Sequence, residues 1–427
     1  MADHLIKNFD ALAQTQLRRD ALTILEAGLN SADTTAVTKN KVRLSNNVLS
    51  VGNNQYQLTD YKRIFVVAIG KVANAASSVL ENILGNRLAG GISLSTTPGN
   101  FKVVTSLTGT HPMPSEQNIA ATSEIINLVK QLNSDDLLIV VVSGGGSALL
   151  CQPLGVTVQE LVSITKHLFR SGADIHEINT IRKHLSAVKG GRLVALANGA
   201  AIAGLIYSDI ADNDISLVAS GPTFPDSSTI ADADAVIEKY DIRNTCHLPD
   251  LSVQETPKEP NIFSRVRNEL IVSNKTAISD MKKTAADLGY QAKIFNDHLT
   301  GEARLVGVDL ARAVAAGQAL IAAGETTVTV TGQGTGGRNQ ELTLGALATL
   351  PDNTLVLSCA SDGVDNSPPA GAIADDLVKQ KAANLKLDPS TYLQNNDSLN
   401  FFQAVEAAII TGPTGINIAD LMLAIRK

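Results

Sequence analysis

The hydrophobic pattern of this chain alternates between short apolar runs and longer segments with helical spacing. The runs at 63–69, 137–142 and 354–360 have the length of buried strands, whereas residues 72–84 and 338–347 have the length and spacing of helices. Strands that alternate with helices in this way are typical of α/β proteins. We therefore predict two three-layer α/β domains with mainly parallel sheets and an active site in the cleft between them.

Four further segments have readable patterns. Residues 12–25 repeat apolar positions with helical spacing. Residues 36–58 alternate between apolar and polar positions and contain turn-forming residues, which is typical of a hairpin meander. Residues 302–323 are predicted as one long helix and residues 326–331 as a strand.

The best linker lies at 247–260, where three prolines stand among polar residues. A chain of 427 residues exceeds the usual size of a single domain. We therefore predict a Rossmann-like first domain over 1–246 and a second α/β domain over 261–427.

Composition excludes several classes of protein. The chain carries 35 basic and 42 acidic residues, a net charge of -7, without a basic tract for nucleic acid. Its three cysteines lie far apart, and the N-terminal segment lacks the apolar core of a signal peptide. We expect a cytoplasmic protein with small-molecule partners and no membrane or nucleic-acid contact. The oligomeric state is left open, with a homo-oligomer as one alternative.

The strongest chemical feature is the loop Ser143-Gly144-Gly145-Gly146-Ser147, which follows the apolar run at 137–142. Glycines let the backbone approach a ligand and direct successive N–H groups at it, and a following helix adds the positive end of its dipole. The alternative is a tight turn without a ligand. The pattern favours a phosphate or carboxylate site.

A second glycine-rich loop contains Gly332, Gly334, Gly336 and Gly337 and leads into Arg338 and Asn339. It formally fits the dinucleotide pattern, but the next helix opens with polar residues, and Asp362 is too far away for the usual ribose contact. An arginine in the first turn opposes the helix dipole, and phosphate oxygens would offset this. Lys71 follows a strand and a glycine at another helix start, so the same argument applies to it.

Two polar clusters and one polar helix complete the candidates. Residues 208–214 and 361–366 each follow an apolar strand, so Asp209, Asp214 and Asp362 are candidate Mg²⁺ ligands. The alternative is ordinary turn chemistry. Candidates for binding a substrate carboxylate lie at 176–193, and they are Glu177, Asn179, Arg182, His184 and Lys189.

The motifs GKVANA, HPMPSE, SGGGSALL, GADIHEINTIRKHLSAVKGGRL, GETTVTVTGQGTGGRNQE, SDGVDN and TGPTGIN occur in this order. Together they resemble the class II glycerate kinases, which are ATP-dependent glycerate 2-kinases with a MOFRL domain at the C-terminal end. The resemblance covers roughly residues 5–424. One departure is Ser115, which stands where the family pattern has an aspartate.

The resemblance implies transfer of the γ-phosphoryl group of ATP to the 2-hydroxyl of D-glycerate, with a requirement for Mg²⁺. It also implies that Lys71 and Arg338 are the catalytic cations, the two residues that the dipole argument singles out. We assign Asp209 to accept or orient the hydroxyl proton. Some relatives of this pattern are called hydroxypyruvate reductases, so a nicotinamide-dependent reductase is the alternative function.

Overall fold

The structure, a computed structural model, describes residues 4–208 and 214–427 and divides into two compact units. The parallel-sheet unit comprises residues 37–208 and 214–271, and the mixed-sheet unit comprises residues 4–36 and 272–427. The predicted first domain included residues 4–36, but these pack with the mixed-sheet unit. There the buried guanidinium of Arg18 donates to both carboxylate oxygens of Asp375, at 2.6 and 2.8 Å.

The strands are numbered in chain order. They are β1 (Val42–Ser45), β2 (Val48–Val51), β3 (Asn54–Gln57), β4 (Arg63–Ile69), β5 (Leu88–Ser95), β6 (Val104–Thr108), β7 (Asp136–Ser143), β8 (Ala201–Tyr207), β9 (Val266–Val272), β10 (Gln291–Leu299), β11 (Gln318–Gly324), β12 (Thr354–Ala360), β13 (Gly371–Ala374), β14 (Ala408–Ile409) and β15 (Asp420–Arg426).

The α-helices are numbered in the same way. They are α1 (Phe9–Leu12), α2 (Gln16–Ser31), α3 (Thr34–Lys41), α4 (Ala73–Leu84), α5 (Glu116–Lys130), α6 (Gly146–Leu149), α7 (Val158–Arg170), α8 (Ile175–His184), α9 (Arg192–Leu196), α10 (Ile230–Lys239), α11 (Ile242–Thr245), α12 (Asn274–Asp287), α13 (Ala303–Ala313), α14 (Arg338–Leu347), α15 (Asp376–Asn384), α16 (Pro389–Gln394) and α17 (Ser398–Ala404). Within the part of the chain described, no helix is long and apolar enough to cross a bilayer.

The large sheet of the parallel-sheet unit has the strand order β6-β5-β4-β7-β8-β9. Neighbouring strands from β6 to β8 pair in parallel. Strand β7 is buried along its whole length, as expected for an apolar strand covered on both faces. The chain runs outward from β4 to β6 and returns to β7, so the switch point lies between the carboxyl ends of β4 and β7. Strands β1 to β3 form the predicted meander.

The sheet of the mixed-sheet unit has the order β10-β11-β15-β12-β13-β14. Strands β10 and β11 pair in parallel, but β15 lies antiparallel between β11 and β12. The α/β class is confirmed, and this second sheet is mixed instead of mainly parallel. The reason is that two strands run opposite to the others: β15, which pairs with β11 and β12 in the centre of the sheet, and β13, which pairs with β12 and β14.

Two local predictions in this unit were wrong. Residues 318–324 form β11 instead of the end of a helix over 302–323, although Ala and Leu favour helices. Gly317, with φ of 74°, separates this strand from α13. Residues 326–331 form an irregular loop in which Val330 is 72% exposed. Burial between β10 and β15 decided the first case, and the second segment has no neighbouring strand that would pair with it along its length.

Candidate functional site

Lys71 and the loop at 143–147 meet at the switch point of the parallel sheet. The backbone N–H of Lys71 donates to the carbonyl of Gly144 at 2.9 Å. The hydroxyl of Ser143 donates to the carbonyl of Ile69, the last residue of β4, at 3.1 Å. Hydrogen bonds therefore join the two predicted elements at the edge where open α/β sheets bind ligands.

This loop needs glycine because other groups approach it closely. Gly145 has φ of 80°, and a Cβ atom on it would lie 3.3 Å from the ring of His111 and 3.4 Å from Cγ of Lys71. A Cβ atom on Gly146 would lie 2.6 Å from Cβ of Ala219. No described residue accepts a hydrogen bond from the N–H of Gly145 or Gly146. Both groups can therefore serve an anion, although α6 is a single turn of four residues and adds little dipole.

A strained turn packs against the same loop. Ala219 and Ser220 both adopt positive φ, 52° and 59°, which side chains other than glycine rarely accept. Such strain is concentrated at functional sites. The hydroxyl of Ser220 donates to Oδ1 of Asn179 at 2.8 Å and lies 3.3 Å from the hydroxyl of Ser147. Ser220 was not among the residues predicted from the sequence; the feature that could have identified it is the turn Ser220-Gly221-Pro222.

Three candidates on or near α8 are engaged by the protein itself. Glu177 forms an ion pair with Lys239 at 2.5 Å and accepts from the hydroxyl of Tyr240 at 2.6 Å. These hydrogen bonds lower the pKa of Glu177 to about 2. Asn179 accepts a hydrogen bond from the hydroxyl of Ser220. Nδ1 of the buried ring of His184 lies 2.9 Å from the carbonyl oxygen of Thr180. We assign structural roles to these contacts.

Arg182 and Lys189 are different, because they share a cavity. It has a volume of about 20 Å³ and is lined by Pro112, Met113, Pro114, Ser147, Ala148, Cys151, Gln152, Leu161, Thr165, Arg182, Leu185, Ser186 and Lys189. Lys189 is 3% exposed, and its ammonium donates to the carbonyl of Leu150. Among the described residues, neither cation forms an ion pair.

Arg338 lines a larger cavity in the mixed-sheet unit. The volume is about 640 Å³, and the lining residues include Thr326, Val330, Gly334, Gly336, Gly337, Arg338, Glu341, Val364, Asp365 and Asn366. The Nε atom of Arg338 donates to Asp420 at 2.5 Å, and Nη2 donates to Glu325 at 2.9 Å. Two carboxylates thus offset the unfavourable position of this arginine at the start of α14, where the sequence argument had invoked phosphate alone. Neither carboxylate was identified from the sequence.

Asp420 is the first residue of β15 and is 2% exposed. Burial raises the pKa of Asp420 to about 7, against the opposing influence of Arg338. In turn, its carboxylate and that of Glu325 raise the pKa of the guanidinium, which burial alone would lower. Arg338 is therefore a fixed cation whose orientation depends on the central strand of the sheet.

The N-terminus of α14 is closed by Asp365. Its carboxylate accepts from the backbone N–H groups of Asn339 and Gln340 at 3.0 and 2.9 Å. The side chain of Asn339 also donates to Asp365, at 3.1 Å, and its Oδ1 accepts from Ser358 at 2.5 Å. A protein carboxylate thus occupies the position where a phosphate would bind on the axis of this helix.

The glycines of the second loop pack against the residues that connect α16 and α17. The N–H groups of Gly332 and Gly334 donate to Asn396 and Asn395 at 2.9 and 2.8 Å. A Cβ atom on Gly332 would lie 2.3 Å from the backbone of Asn395, and a Cβ atom on Gly334 would lie 2.4 Å from Cβ of Asp397. No described residue accepts from the N–H of Gly336 or Gly337. Close packing therefore explains the first glycines, and the last two retain N–H groups that can bind a ligand.

Two of the three predicted metal ligands, Asp214 and Asp362, accept hydrogen bonds within their own turns. Asp209 lies outside the described residues. Asp214 accepts from the backbone N–H of Ser216 at 2.9 Å, and Asp362 accepts from that of Val364 at 3.1 Å. Over residues 4–208 and 214–427, no three His, Cys, Asp or Glu side chains come together as metal ligands. The assignment of a Mg²⁺ ligand therefore stays a prediction.

Strand order and site geometry together define a class. The parallel-sheet unit is a Rossmann-like α/β unit with a lysine and a glycine loop at its switch point, and the mixed-sheet unit holds a fixed arginine in a cavity. Both arrangements are suited to anionic ligands.

Comparison with known proteins identifies the family. Residues 20–251 match the domain of unknown function DUF4147, and residues 318–420 match the MOFRL family. The D-glycerate 2-kinase of Thermotoga maritima is 37% identical over 84% of this chain and 90% of the relative. A crystal structure of glycerate kinase from the same organism has a TM-score of 0.83 at 33% identity and covers 96% of this chain and 100% of that one. A relative from Agrobacterium vitis that carries a hydroxypyruvate reductase name is 34% identical over 74% of this chain and 76% of the relative. The chain belongs to the DUF4147 and MOFRL family of glycerate kinases.

Proposed function

We propose that the chain is an ATP-dependent glycerate 2-kinase. The oxygen of the 2-hydroxyl of D-glycerate forms a bond to the γ-phosphorus of ATP, the bond to the β-phosphate oxygen breaks, and ADP leaves with 2-phosphoglycerate as the other product. The observation that carries this proposal is the similarity to a D-glycerate 2-kinase along most of both chains. The hydroxyl proton goes to a base, for which Asp209 is our candidate.

Arg338 is proposed to stabilise the transferring phosphoryl group. Phosphoryl transfer spreads negative charge over the equatorial oxygens, and a fixed cation there stabilises the transition state more than the ground state. Two carboxylates hold Arg338 through Nε and Nη2, and its side chain is still 35% exposed on the cavity. Lys71, beside the loop at 143–147, is proposed as the second cation.

The nucleotide is proposed to bind in the cavity of the mixed-sheet unit. A volume of about 640 Å³ lies in the usual range for small-molecule sites. Of the candidates Gly332, Gly334, Gly336, Gly337 and Asn339, the N–H groups of Gly336 and Gly337 are those best placed to meet phosphate oxygens. Magnesium would arrive as part of MgATP, which needs only one or two protein carboxylates, and Asp209, Asp214 and Asp362 remain the candidates.

The reductase alternative is less well supported by the geometry. A dinucleotide site of this type uses the free N-terminus of the helix after the glycine loop to bind pyrophosphate. Here Asp365 accepts the N–H groups of that turn. The kinase proposal uses the side of the loop and the guanidinium of Arg338, so it does not need the helix axis.

A coupled assay tests the proposal. We would supply D-glycerate, ATP, Mg²⁺ and enolase without phosphoglycerate mutase and follow the absorbance of phosphoenolpyruvate. Absorbance is expected at once, because enolase acts on 2-phosphoglycerate. Absorbance that appears only after mutase is added would show phosphorylation at the 3-hydroxyl, and NADH oxidation with hydroxypyruvate in the absence of ATP would support the reductase.

A further inference from the structure

Arg182 and Lys189 are two cations in one narrow cavity, and no described carboxylate lines it. Buried charges in proteins are normally paired, because an unpaired one loses its hydration without compensation. Lys189 is buried and Arg182 is half-buried. The ammonium of Lys189 donates to the carbonyl of Leu150. The guanidinium carbon of Arg182 lies over the ring of Phe169, 5.7 Å from the ring centroid.

The surrounding segment does not lack acids. Lys183, between the two cations in sequence, forms an ion pair with the buried carboxylate of Asp226 at 3.1 Å. The acidic group in the cavity itself is the thiol of Cys151, whose pKa is raised by burial, so it remains neutral near pH 7. Glu116 is exposed at the start of α5 and pairs with neither cation. The two positive charges thus lack a counter-ion within the described residues.

The cavity adjoins the loop at the switch point, because Ser147 lines it. A volume of about 20 Å³ holds about one water molecule, so it admits one small polar group and not a whole ligand. We propose that Arg182 and Lys189 bind the carboxylate group of the hydroxy-acid substrate, whose remaining atoms lie along the Ser147 side of the glycine loop. This inference rests on the proposed kinase function and specifies where its acidic substrate is anchored.

The ionisation of Lys189 offers a direct readout. Burial is the main cause that lowers the pKa of Lys189 from 10.5 to about 8; Cys151 opposes this shift, and the charge of Arg182 adds a smaller contribution in the same direction as burial. A carboxylate beside the ammonium favours the charged form, so the pKa of Lys189 rises when the substrate binds. Binding of D-glycerate at pH 8 should therefore take up about half a proton.

Isothermal titration of the wild-type protein with D-glycerate at pH 8, in two buffers of different ionisation enthalpy, measures this uptake. A buffer-dependent heat that corresponds to proton uptake is expected. Binding of D-glycerate without proton uptake would overturn the subsite, whether or not the kinase assay is positive. Undetectable binding of D-glycerate in the presence of a non-hydrolysable ATP analogue would overturn it as well.

Kinetics of Lys189→Met provide the second test, with Lys166→Met on the exposed face of α7 as the control. We expect Lys189→Met to raise KM for D-glycerate by about 100-fold, with KM for ATP within about threefold of wild type. Lys189→Arg keeps the charge and should recover part of the affinity, and it should retain that affinity above pH 8, where the wild type loses it. If wild type phosphorylates D-glycerate and Lys189→Met keeps the same KM, the subsite is wrong while the kinase function stands.

Discussion

Arg338 of the mixed-sheet unit and Lys189 of the parallel-sheet unit are both cations next to a cavity, but their partners differ. Asp420 and Glu325 fix Arg338 by three hydrogen bonds between 2.5 and 3.1 Å. Lys189 donates to the carbonyl of Leu150, and none of the carboxylates that the structure describes pairs with it. A paired cation keeps its charge and direction through a reaction, whereas an unpaired one gains most when an anion arrives. The difference separates a group suited to transition-state stabilisation from one suited to binding.

The largest expected effect comes from removing the paired cation. Arg338→Met should lower kcat by about 10³-fold or more, because a fixed arginine acts mainly on the transition state. The variant leaves Asp420 without a partner, so it should also lose stability. Steady-state kinetics and urea unfolding measure both effects. In the double variant Arg338→Met with Asp420→Asn, stability should recover while kcat stays low; recovery of kcat would show that Arg338 has no part in the chemistry.

Substituting Asp420, the carboxylate partner of Arg338, should lower kcat less than substituting Arg338 itself. Asp420→Asn keeps an acceptor but removes the negative charge, so we expect kcat to fall by about 10- to 100-fold with KM for D-glycerate nearly unchanged. In the wild type, Asp420 becomes protonated as the pH falls through about 7, and activity should fall with it. Asp365, Cys359 and Glu325 are the other titratable groups that act on this region.

The pH profile of kcat is the discriminating measurement for that variant. The decline below about pH 7 should disappear in Asp420→Asn, because the group that titrates is gone. A profile that keeps the same acid limb would assign the ionisation to another group, and Glu325→Gln would then be compared in the same way.

For the unpaired cation we expect the opposite effect on stability. A shift of the pKa of Lys189 from 10.5 to about 8 corresponds to about 3 kcal/mol of unfavourable burial at pH 7. Lys189→Met removes it but leaves the carbonyl of Leu150 without a donor, at a cost of about 1–3 kcal/mol. The free energy of unfolding should therefore be unchanged or higher by up to about 2 kcal/mol. A large loss of stability would show that Lys189 is a structural residue.

The pH dependence of the free energy of unfolding tests the lowered pKa of Lys189 separately. The folded-state pKa of Lys189 lies below the unfolded value, so the unfolded chain binds more protons between pH 8 and 10.5. The free energy of unfolding of the wild type should carry a rising contribution over this range. Subtracting the urea-unfolding profile of Lys189→Met isolates that contribution, and identical profiles would contradict it.

The smallest expected effect is at Glu177, a predicted substrate residue that the protein itself engages. Glu177→Gln should change KM for D-glycerate by less than about twofold, because the carboxylate is paired with Lys239 and caps α8. Stability should fall by about 1 kcal/mol at pH 7. The stability that the Glu177 carboxylate contributes is fully present above its pKa in the unfolded chain, and it is lost as the pH falls through its folded-state pKa of about 2. Thermal unfolding of wild type and Glu177→Gln at pH 7 and pH 3 measures this contribution. A rise in KM for D-glycerate comparable with that of Lys189→Met would instead show that Glu177 binds the substrate.

Local sequence was sufficient to predict much of the secondary structure of the parallel-sheet unit. The apolar run at 137–142 predicts a buried strand, because six consecutive apolar residues have the length and composition of a strand covered on both faces. The loop at 143–147 and Lys71 were found because their chemistry is expressed within a few residues of a strand end. The same reasoning failed at 318–324, where burial between β10 and β15 outweighed the helical preference of alanine.

The residue types, the glycine loops, the α/β class and the family motifs were determined by the sequence alone, because each depends on local spacing or on ordered similarity. The tertiary structure decided which charges are paired. Asp420 lies 82 residues after Arg338, and Glu325 directly precedes the segment 326–331 for which a strand had been predicted. Strand order and packing decide whether a cation is paired with a carboxylate or shares a cavity with another cation. The spacing of residues along the chain carries no information about this pairing.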